Sequence, residues 1–549
     1  MKRIISNLTA TAAAGMLLCS CSFLEIEPKI IAPETFYETA DDVLYGLAGV
    51  YGTINNEAFY GNYYSLMMSN IDDLCYCNRD NLSGQQLYYL NYGSTHAELY
   101  SVWTAIYAGI KNANEFMEAI GADSPLDADG RCYTEARFLR AYYHFILAQA
   151  WGDVPLRDSA TKSPSEVQLA ATPQSEILQW CVREMEACAD MLPEGLDGAP
   201  SRVTRSAVQG ILARVYLFMA GATVTGVDKQ QMYERAARWA GEVIAGGLHS
   251  LNPDYSQVFI NMIADTYDRT FYESIWEADF TGNNQESNGR IGDLIGLLCN
   301  STDYANNNCN YAYGFYNGSL KLWDLYWTED RTDDEDRIAN RIIDTRQAWN
   351  MAPYNYQNST GRVQYNYDSK SSLEYPTVAV GQRNASKWRR EVVYESRQMS
   401  KSGYTRINFP ILRYSDVLLM YAEAVTELGG DLTEAYGCVK QVRDRAGIKT
   451  RDMADYSSQS AMRQFIRNER GRELCFESLR KYDLIRWGIF VREMRNYSQW
   501  TADGRWSKNA KTVLCAETIG SNVQEKHIYQ PIPATELGVN KLLRQNPMW

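Results

Sequence analysis

The chain has 549 residues and a formal net charge of −13 at pH 7, with 67 Asp or Glu against 54 Lys or Arg. This acidity argues against nucleic-acid binding, because an acidic surface repels phosphate backbones. The 12 cysteines and four histidines show no zinc-like spacing, and the chain has neither a glycine-rich phosphate loop nor a triad-like Ser–His arrangement. We therefore predict no metal, no cofactor and no catalytic residue.

The N-terminus has the pattern of an export signal. Lys2 and Arg3 precede a mostly small and apolar run at 8–18. This run is shorter than the about 20 apolar residues that span a bilayer, but it suits the apolar region of a secretory signal. We predict a signal peptide at 1–20.

The apolar run ends in LCSC at 18–21, which resembles a bacterial lipobox. In such a motif the cysteine is acylated and becomes the first residue of the mature chain. Cys21 fits this position better than Cys19, because cleavage before Cys19 would place bulky Leu18 beside the cut. We predict lipid attachment at Cys21 and a lipidated tether at 21–38. The alternative is an ordinary signal peptide with an incidental cysteine.

Helical periodicity follows the tether. In chain order, we predict helices at about 41–51, 97–120, 134–151, 173–192, 206–220 and 232–245. On the third of these, Phe138, Tyr142 and Ile146 form one stripe. The paired helices, rich in Ala and Tyr, resemble tetratricopeptide units, which must stack to bury their apolar faces.

The middle of the chain, at 250–409, is dense in Asn, Gly, Tyr, Ser and Asp, and a region this long without strong periodicity is usually functional. It has a short helical patch at about 320–326 and a strand-like run near 274–278. Helices return at about 410–428, 433–446, 461–475 and 479–493, and the remainder to Trp549 is predicted to be irregular.

The predicted fold is therefore mostly all-α, a tetratricopeptide-like superhelix with a large loop-rich insertion. We predict one domain at 39–549. It consists of an N-terminal helical part at 39–249, the insertion at 250–409 and a C-terminal helical part at 410–549.

A run of acids and arginines in the C-terminal helices is the first place to look for catalytic carboxylates. Glu469 and Arg472 are three residues apart, and Glu473 and Glu477 four apart, so they share one helix face. Every acid has an Arg within one turn, which should keep it ionised, whereas a general acid needs a raised pKa. We predict a structural ion-pair network that also includes Glu423.

Aromatic residues in loops carry the binding hypothesis. The 39 Tyr against 15 Phe indicate wet contact surfaces, although helix-repeat packing also consumes Tyr. A sugar ring needs a flat aromatic platform with amide, carboxylate or guanidinium partners nearby. The segments 72–92 and 303–317 supply both. The ligand-binding candidates are Asp72, Arg79, Tyr88, Tyr92, Asn308, Tyr311, Tyr313 and Tyr316, with local loop packing as the alternative for each.

Second-rank binding candidates are Trp323, Trp349, Tyr354 and Tyr356, whereas Trp103, Trp151, Trp276 and Trp487 are expected in the core. Two further features stay open. Cys299 and Cys309 are either a disulfide or two thiols. The acidic loop at 328–337 lacks the ligand spacing of an EF-hand, which favours a solvated turn over a calcium site.

Short motifs stand in a fixed order along the mature chain. They lie at 103–114, 135–143, 151–155 (WGDVP), 207–217, 273–276, 413–424 (RYSDVLLMYAEA), 442–447 (VRDRAG), 469–477 (ERGRELCFE), 480–488 (RKYDLIRWG), 531–533 and 545–547. In this order they resemble the SusD/RagB-like family of outer-membrane lipoproteins of the Bacteroidetes. Cys475 and Ser478 depart from the usual pattern, which has a small or aliphatic residue and a glycine there.

The resemblance implies an α-superhelix that supports variable loops and captures a ligand, most often a glycan, outside the cell. It also implies a partner, a SusC-like TonB-dependent outer-membrane transporter, and lipid contact through acylated Cys21. Family membership does not fix the ligand. The alternatives are a surface-anchored glycoside hydrolase, which needs two carboxylates about 5–10 Å apart, and a protein-binding helical-repeat scaffold.

Overall fold

The computed structural model describes residues 36–79, 85–195, 198–281, 287, 289–300, 309–327, 344–352, 354–357, 361–364, 383–391, 394, 403–503, 506 and 509–549. The predicted signal peptide, Cys21, most of the tether, Asn308 and the acidic loop at 328–337 lie outside the described residues. Among the described residues, none of the helices combines the length and the hydropathy of a membrane-spanning segment.

Helices make up most of the described chain, which confirms the predicted fold class. They are α1 (Ala40–Tyr51), α2 (Gln85–Tyr88), α3 (Ala97–Ile120), α4 (Arg131–Trp151), α5 (Gln174–Ala189), α6 (Arg205–Ala220), α7 (Lys229–Gly246), α8 (Tyr255–Ala264), α9 (Leu320–Trp327), α10 (Thr345–Asn350), α11 (Tyr414–Glu427), α12 (Leu432–Arg445), α13 (Gln459–Leu474), α14 (Arg480–Arg486), α15 (Phe490–Arg495), α16 (Tyr497–Thr501), α17 (Ala510–Asn522) and α18 (Ala534–Val539). Short π-helical turns at Glu57–Gly61 and Tyr63–Met68 precede α2.

The long helices form one stack that the insertion does not interrupt. Consecutive helices from α3 to α7 pack pairwise, α7 then packs against α11, and α11 packs against α12 and α13. Each helix thus buries its apolar face against its neighbours in the stack. The insertion leaves this scaffold after α7 and returns to it at α11.

Three antiparallel strand pairs lie within or beside the insertion. The strands are β1 (Cys75–Cys77), β2 (Ser274–Ala278), β3 (Tyr316–Gly318), β4 (Tyr354–Gln357), β5 (Gly361–Gln364) and β6 (Phe409–Arg413), and they pair as β1–β3, β2–β6 and β4–β5. The β2–β6 pair joins the two ends of the insertion where it meets the helical stack. Trp276 on β2 is fully buried against Phe138 and Tyr142 of α4.

Local sequence explains where several helices begin and end. Thr39 caps α1: its hydroxyl accepts from the Asp42 amide at 3.2 Å, and the Asp42 carboxylate accepts from the Thr39 amide at 2.8 Å. Gly429, with φ +69°, follows α11 in the left-handed conformation that glycine adopts without strain.

Three expectations about helices were wrong. The helix expected from 410 begins at Tyr414, because Phe409–Arg413 pairs with β2 as a strand. The helix expected at 479–493 is two helices, separated at Gly488, whose φ is +69°. The C-terminal remainder, expected to be irregular, contains α16, α17 and α18.

Candidate functional site

The β1–β3 pair brings together the two aromatic loop segments that lie far apart in sequence. Tyr76 stands opposite Asn317, and Cys77 stands opposite Tyr316, in antiparallel register. Beyond the strands, the Asn78 amide donates to the Phe315 carbonyl at 2.8 Å. The segments 72–79 and 311–318, which the sequence predicts as two separate candidates, therefore lie side by side, and the strands β1 and β3 themselves are buried.

Tyr311, Tyr313 and Phe315 of the second segment form an aromatic cluster beside the β1–β3 pair. The ring centroids of Tyr311 and Tyr313 are 5.0 Å apart at an interplanar angle of 87°, and those of Tyr313 and Phe315 are 5.0 Å apart at 41°. Tyr313 is 39% exposed, Tyr311 is partly exposed and Phe315 is buried below it. We call Tyr311, Tyr313 and Phe315, with Arg79, the aromatic patch.

Arg79 joins the first segment to the patch. Its guanidinium group lies 4.8 Å from the centroid of the Phe315 ring, within the range of a cation–π interaction. The same group donates to the Tyr313 carbonyl at 3.1 Å and to the Asn78 carbonyl at 2.7 Å. Arg79 therefore holds the backbone of the patch and places a positive charge beside its rings.

Three of the sequence candidates are buried. Tyr316 is fully buried and packs edge-on against Tyr88, which is 3% exposed, with centroids 5.8 Å apart. Asp72 is 1% exposed, and its carboxylate accepts from the amides of Leu74 and Cys75 at 2.7 and 3.0 Å. The prediction treated these side chains as accessible, whereas the structure uses them for packing and for the turn into β1.

Tyr92 belongs to a different cluster. Its ring stacks on Trp549, with centroids 5.2 Å apart at 28°, and its hydroxyl donates to the Gln530 side chain at 2.7 Å. It therefore ties the chain before α3 to the C-terminal end. The remaining candidate, Asn308, lies outside the described residues.

The second-rank candidates Trp323, Trp349, Tyr354 and Tyr356 are all buried, so their rings offer no open platform. The prediction for the framework tryptophans is confirmed for Trp103, Trp151 and Trp276, which are at most 2% exposed. Trp487 is only partly buried.

Helix α17 borders the patch and was missed from the sequence. The Thr512 hydroxyl donates to the Asn78 side chain at 3.4 Å, and Cys515 contacts the Tyr89 hydroxyl at 3.0 Å. Asn509 caps this helix, and its buried Thr512, Cys515 and Ile519 recur at helical spacing. That cap and that spacing are the sequence signal from which α17 could have been predicted.

The acidic run forms the ion-pair network that the sequence predicted. Glu469 lies between Arg346, Arg443 and Arg472, at 2.7, 3.0 and 2.9 Å. Burial alone would raise the pKa of Glu469, but these three guanidinium groups lower it to about 2. A carboxyl group held ionised in this way cannot donate a proton to a leaving group at neutral pH.

Glu473 and Glu423 follow the same pattern. Glu473 pairs with Arg346, Arg413 and Arg445 at 2.9, 3.0 and 2.6 Å. Glu423 pairs with Arg486, rather than with Arg413 beside it in sequence, and this pairing lowers its pKa to about 2 against the opposing effect of burial. The predicted network is confirmed, with some partners supplied by segments distant in sequence.

Glu277 is one of the described carboxyl groups whose pKa is raised, as a general acid needs. Burial raises its pKa to about 7. However, Glu277 is 5% exposed and lines a cavity of about 40 Å³ together with His249 and Ser274. Such a cavity holds one or two water molecules and excludes a sugar ring.

A larger cleft lies away from the aromatic patch. It has a volume of about 520 Å³ and is lined by the end of α4, the start of α5 and the C-terminal segment, including Gly152, Gln174, Thr223, Tyr529 and Met548. The aromatic patch is an open surface rather than a deep pocket. The cleft is therefore the alternative location for a ligand.

Comparison with known proteins gives a consistent result over the chain. Residues 272–549 match the model of the SusD family, and residues 22–217 match a model described as starch-binding and associating with the outer membrane. SusD-like protein P2 of Formosa agariphila is 25% identical over 484 residues, which cover 86% of this chain and 88% of that protein. The starch-binding protein SusD of Bacteroides thetaiotaomicron is 22% identical over 506 residues, covering 89% and 85%.

Solved structures agree on the fold. A SusD homolog from Bacteroides thetaiotaomicron superposes with a TM-score of 0.80 at 24% identity, covering 94% of this chain and 98% of that one. A laminarin-binding SusD-like protein gives a TM-score of 0.67 at 19% identity, covering 93% and 100%.

Proposed function

The chain belongs to the SusD family, and on that basis we propose that it is a non-catalytic binding protein that captures a glycan at the cell surface. Its described part is a helical frame that presents the aromatic patch at an open surface. A relative is described as starch-binding and a structural neighbour as laminarin-binding. These descriptions support a glycan as the ligand without choosing among glycans.

The exposed ring of Tyr313 is the observation on which the site proposal depends. A sugar presents C–H bonds on one face and hydroxyl groups at its rim, so it stacks on an aromatic ring and hydrogen-bonds beside it. Tyr313 and Tyr311 supply the ring and the phenol hydroxyls. The proposed contact set is Arg79, Tyr311 and Tyr313, with Asn308 retained from the sequence, and it leaves out Asp72, Tyr88, Tyr92 and Tyr316.

Isothermal titration of the mature chain against starch and laminarin oligosaccharides tests the proposal. We expect binding to at least one glycan, and Tyr313→Ala should weaken it by about tenfold, or about 1–2 kcal/mol, because the stacking surface is removed. Tyr45→Ala is the matched control, since Tyr45 is 68% exposed on α1. No heat with any glycan, or equal affinities for both variants and the parent, would contradict the proposal.

We further propose that Cys21 is acylated, that the protein faces the exterior from the outer membrane, and that it hands its ligand to a SusC-like TonB-dependent transporter. The match to a family described as associating with the outer membrane supports this location. Cys21→Ser should release the protein from the membrane fraction. The parent should co-purify with a barrel protein from detergent-solubilised membranes. A parent that is found outside the membrane fraction would refute the anchor, and one that is purified without a barrel protein would refute the transporter partner.

A glycoside hydrolase is the rival that one observation favours, namely the raised pKa of Glu277. Prolonged incubation of the protein with the glycan that it binds separates the two functions. We expect no new reducing ends. Cleavage that Glu277→Gln abolishes would instead establish an enzyme.

A further inference from the structure

Two cysteines lie side by side close to the aromatic patch. Cys299 and Cys309 are both fully buried. The Cys299 thiol donates to the Cys309 carbonyl, with the sulfur 3.6 Å from the oxygen. Burial and a hydrogen bond with Cys299 both raise the pKa of the Cys309 thiol, so the two side chains are direct neighbours.

Backbone hydrogen bonds hold each cysteine in place independently. Cys299 exchanges two hydrogen bonds with Ala312, at 2.9 and 2.8 Å. On the other side, Cys309 pairs with Glu391, and the next residue, Asn310, donates to the Arg390 carbonyl at 2.8 Å. The backbone around each cysteine is therefore fixed by its own partners, and the Cys299 thiol lies against the backbone of Cys309.

These cysteines form a small core of their own. They pack with Leu297, Ala312, Ala352, Tyr354 and Tyr356, separately from the main core of the protein. The chain runs from this small core directly into Tyr311, Tyr313 and Phe315. A bond that stabilises this small core therefore also stabilises the segment that carries the aromatic patch.

We propose that Cys299 and Cys309 form a structural disulfide in the exported protein, which holds the patch segment on its small core. The proposal rests on export, as proposed above, because disulfides persist in oxidising compartments. It does not depend on which ligand the patch binds.

The chemistry is a two-electron oxidation by thiol–disulfide exchange. One cysteine thiolate attacks a disulfide of an oxidising protein or small molecule in the export compartment, which forms a mixed disulfide and releases one thiol. The second cysteine thiolate displaces the other thiol, so one S–S bond forms and the oxidant is reduced to two thiols. Because folding buries both sulfur atoms, the exchange takes place while the chain folds.

The other described cysteines supply an internal control. Cys181 and Cys188 are also buried, but they lie seven residues apart on α5, which separates their Cα atoms by about 10 Å. This exceeds the about 7 Å that a disulfide spans. These two should remain thiols under any conditions that leave the fold intact.

Peptide mapping of the full mature chain, exported to a bacterial periplasm, tests the proposal. The protein is unfolded without reductant in the presence of iodoacetamide and cleaved before Asp303, the one acidic residue between the two cysteines. We expect the fragments that contain Cys299 and Cys309 to stay linked and to separate on reduction, with Cys181 and Cys188 alkylated. Alkylation of both Cys299 and Cys309, or a bond from either to another cysteine, would overturn the proposal.

Thermal unfolding provides a second measurement. The oxidised parent should melt at a higher temperature than the reduced parent, and this difference should vanish in the Cys299→Ala/Cys309→Ala double variant. A melting-temperature difference between oxidised and reduced protein that persists in the double variant would show that other cysteines cause it. The mapping result does not depend on glycan binding. A failure of the proposed function can therefore be distinguished from a failure of the disulfide proposal.

Discussion

At the residue scale, the buried carboxylates and guanidinium groups depend on one another for charge compensation. Glu469 and Glu473 each face three arginines within the protein interior. Removing one member of such a network leaves a buried charge without its partner, which is far more costly than the net stability of the pair. The network is thus a structural centre of the protein.

The lowered pKa values predict acid sensitivity. Glu469, Glu423 and Asp416 have a pKa of about 2 in the folded protein, against ordinary values of 4.5 and 3.8. Since the folded pKa is below the unfolded one, their stabilisation is fully present above about pH 5 and is lost as the pH falls towards 2. Urea unfolding at a series of pH values should show a free energy of unfolding that falls steeply below pH 4.5.

Substitution at one carboxylate tests the same network. Glu469→Gln should lose about 3 kcal/mol or more at pH 7, because three arginines lose a charged partner, and it should flatten the acid limb of the pH profile. Glu234→Gln, at an exposed position on α7, is the matched control and should change stability by about 0.5 kcal/mol or less. Equal effects of the two substitutions would refute the structural role of the network.

Residue-scale burial also explains why part of the candidate site was not predictable. Tyr313 and Tyr316 are the same amino acid in one Tyr-rich segment, yet the first is 39% exposed and the second fully buried. Tyr316 lies on β3 and packs against Tyr88, whereas Tyr313 precedes the strand and Gly314, whose φ of +54° redirects the chain. Sequence alone identified the segment but not which face meets solvent.

At the element scale, strongly periodic helices were predictable and elements made by distant pairing were not. The helix at Ala97–Ile120 matches its predicted bounds, and those of α4, α6 and α7 agree within a few residues. By contrast, Phe409–Arg413 has apolar residues that fit either a helix or a strand, and its pairing with β2 decides the outcome. No sequence pattern near either strand predicts that β1 pairs with β3.

One glycine within the patch segment gives a prediction at this scale. Gly314 has φ +54°, and a Cβ there would lie 2.8 Å from the Leu298 amide nitrogen. Gly314→Ala should therefore cost about 1–3 kcal/mol and displace Tyr313, which weakens glycan binding. Titration and thermal melting measure both effects.

Gly437→Ala is the control for that substitution. Gly437 lies on α12, and a Cβ added there would meet nothing within 4 Å, so alanine should be neutral or slightly stabilising by helix propensity. Gly314→Ala protein that melts and binds like the parent would show that the backbone at 314 tolerates a side chain, contrary to the geometry.

At the scale of the whole molecule, a continuous helical stack carries the loop-rich insertion. Because α7 packs directly on α11, the helical stack continues across the insertion. Some residues of the insertion still pack into the stack, among them Trp276 against α4 and Arg346 against Glu469. The motifs at 413–424 and 469–477 lie in the last residue of β6, in α11, in α13 and in the residues after α13, and their charged side chains join the ion-pair network. These motifs, which help to indicate the family, therefore lie in the frame, whereas the proposed contact residues Arg79, Tyr311 and Tyr313 lie outside them.

The most direct test of this account is a crystal structure of the mature chain with a bound oligosaccharide from the glycan that gives the highest affinity. We predict a sugar ring stacked on the exposed face of Tyr313, with hydroxyl groups within hydrogen-bonding distance of Tyr311 or Arg79. A sugar bound instead in the cleft beside Tyr529, with the Tyr313 ring still open to solvent, would contradict the account.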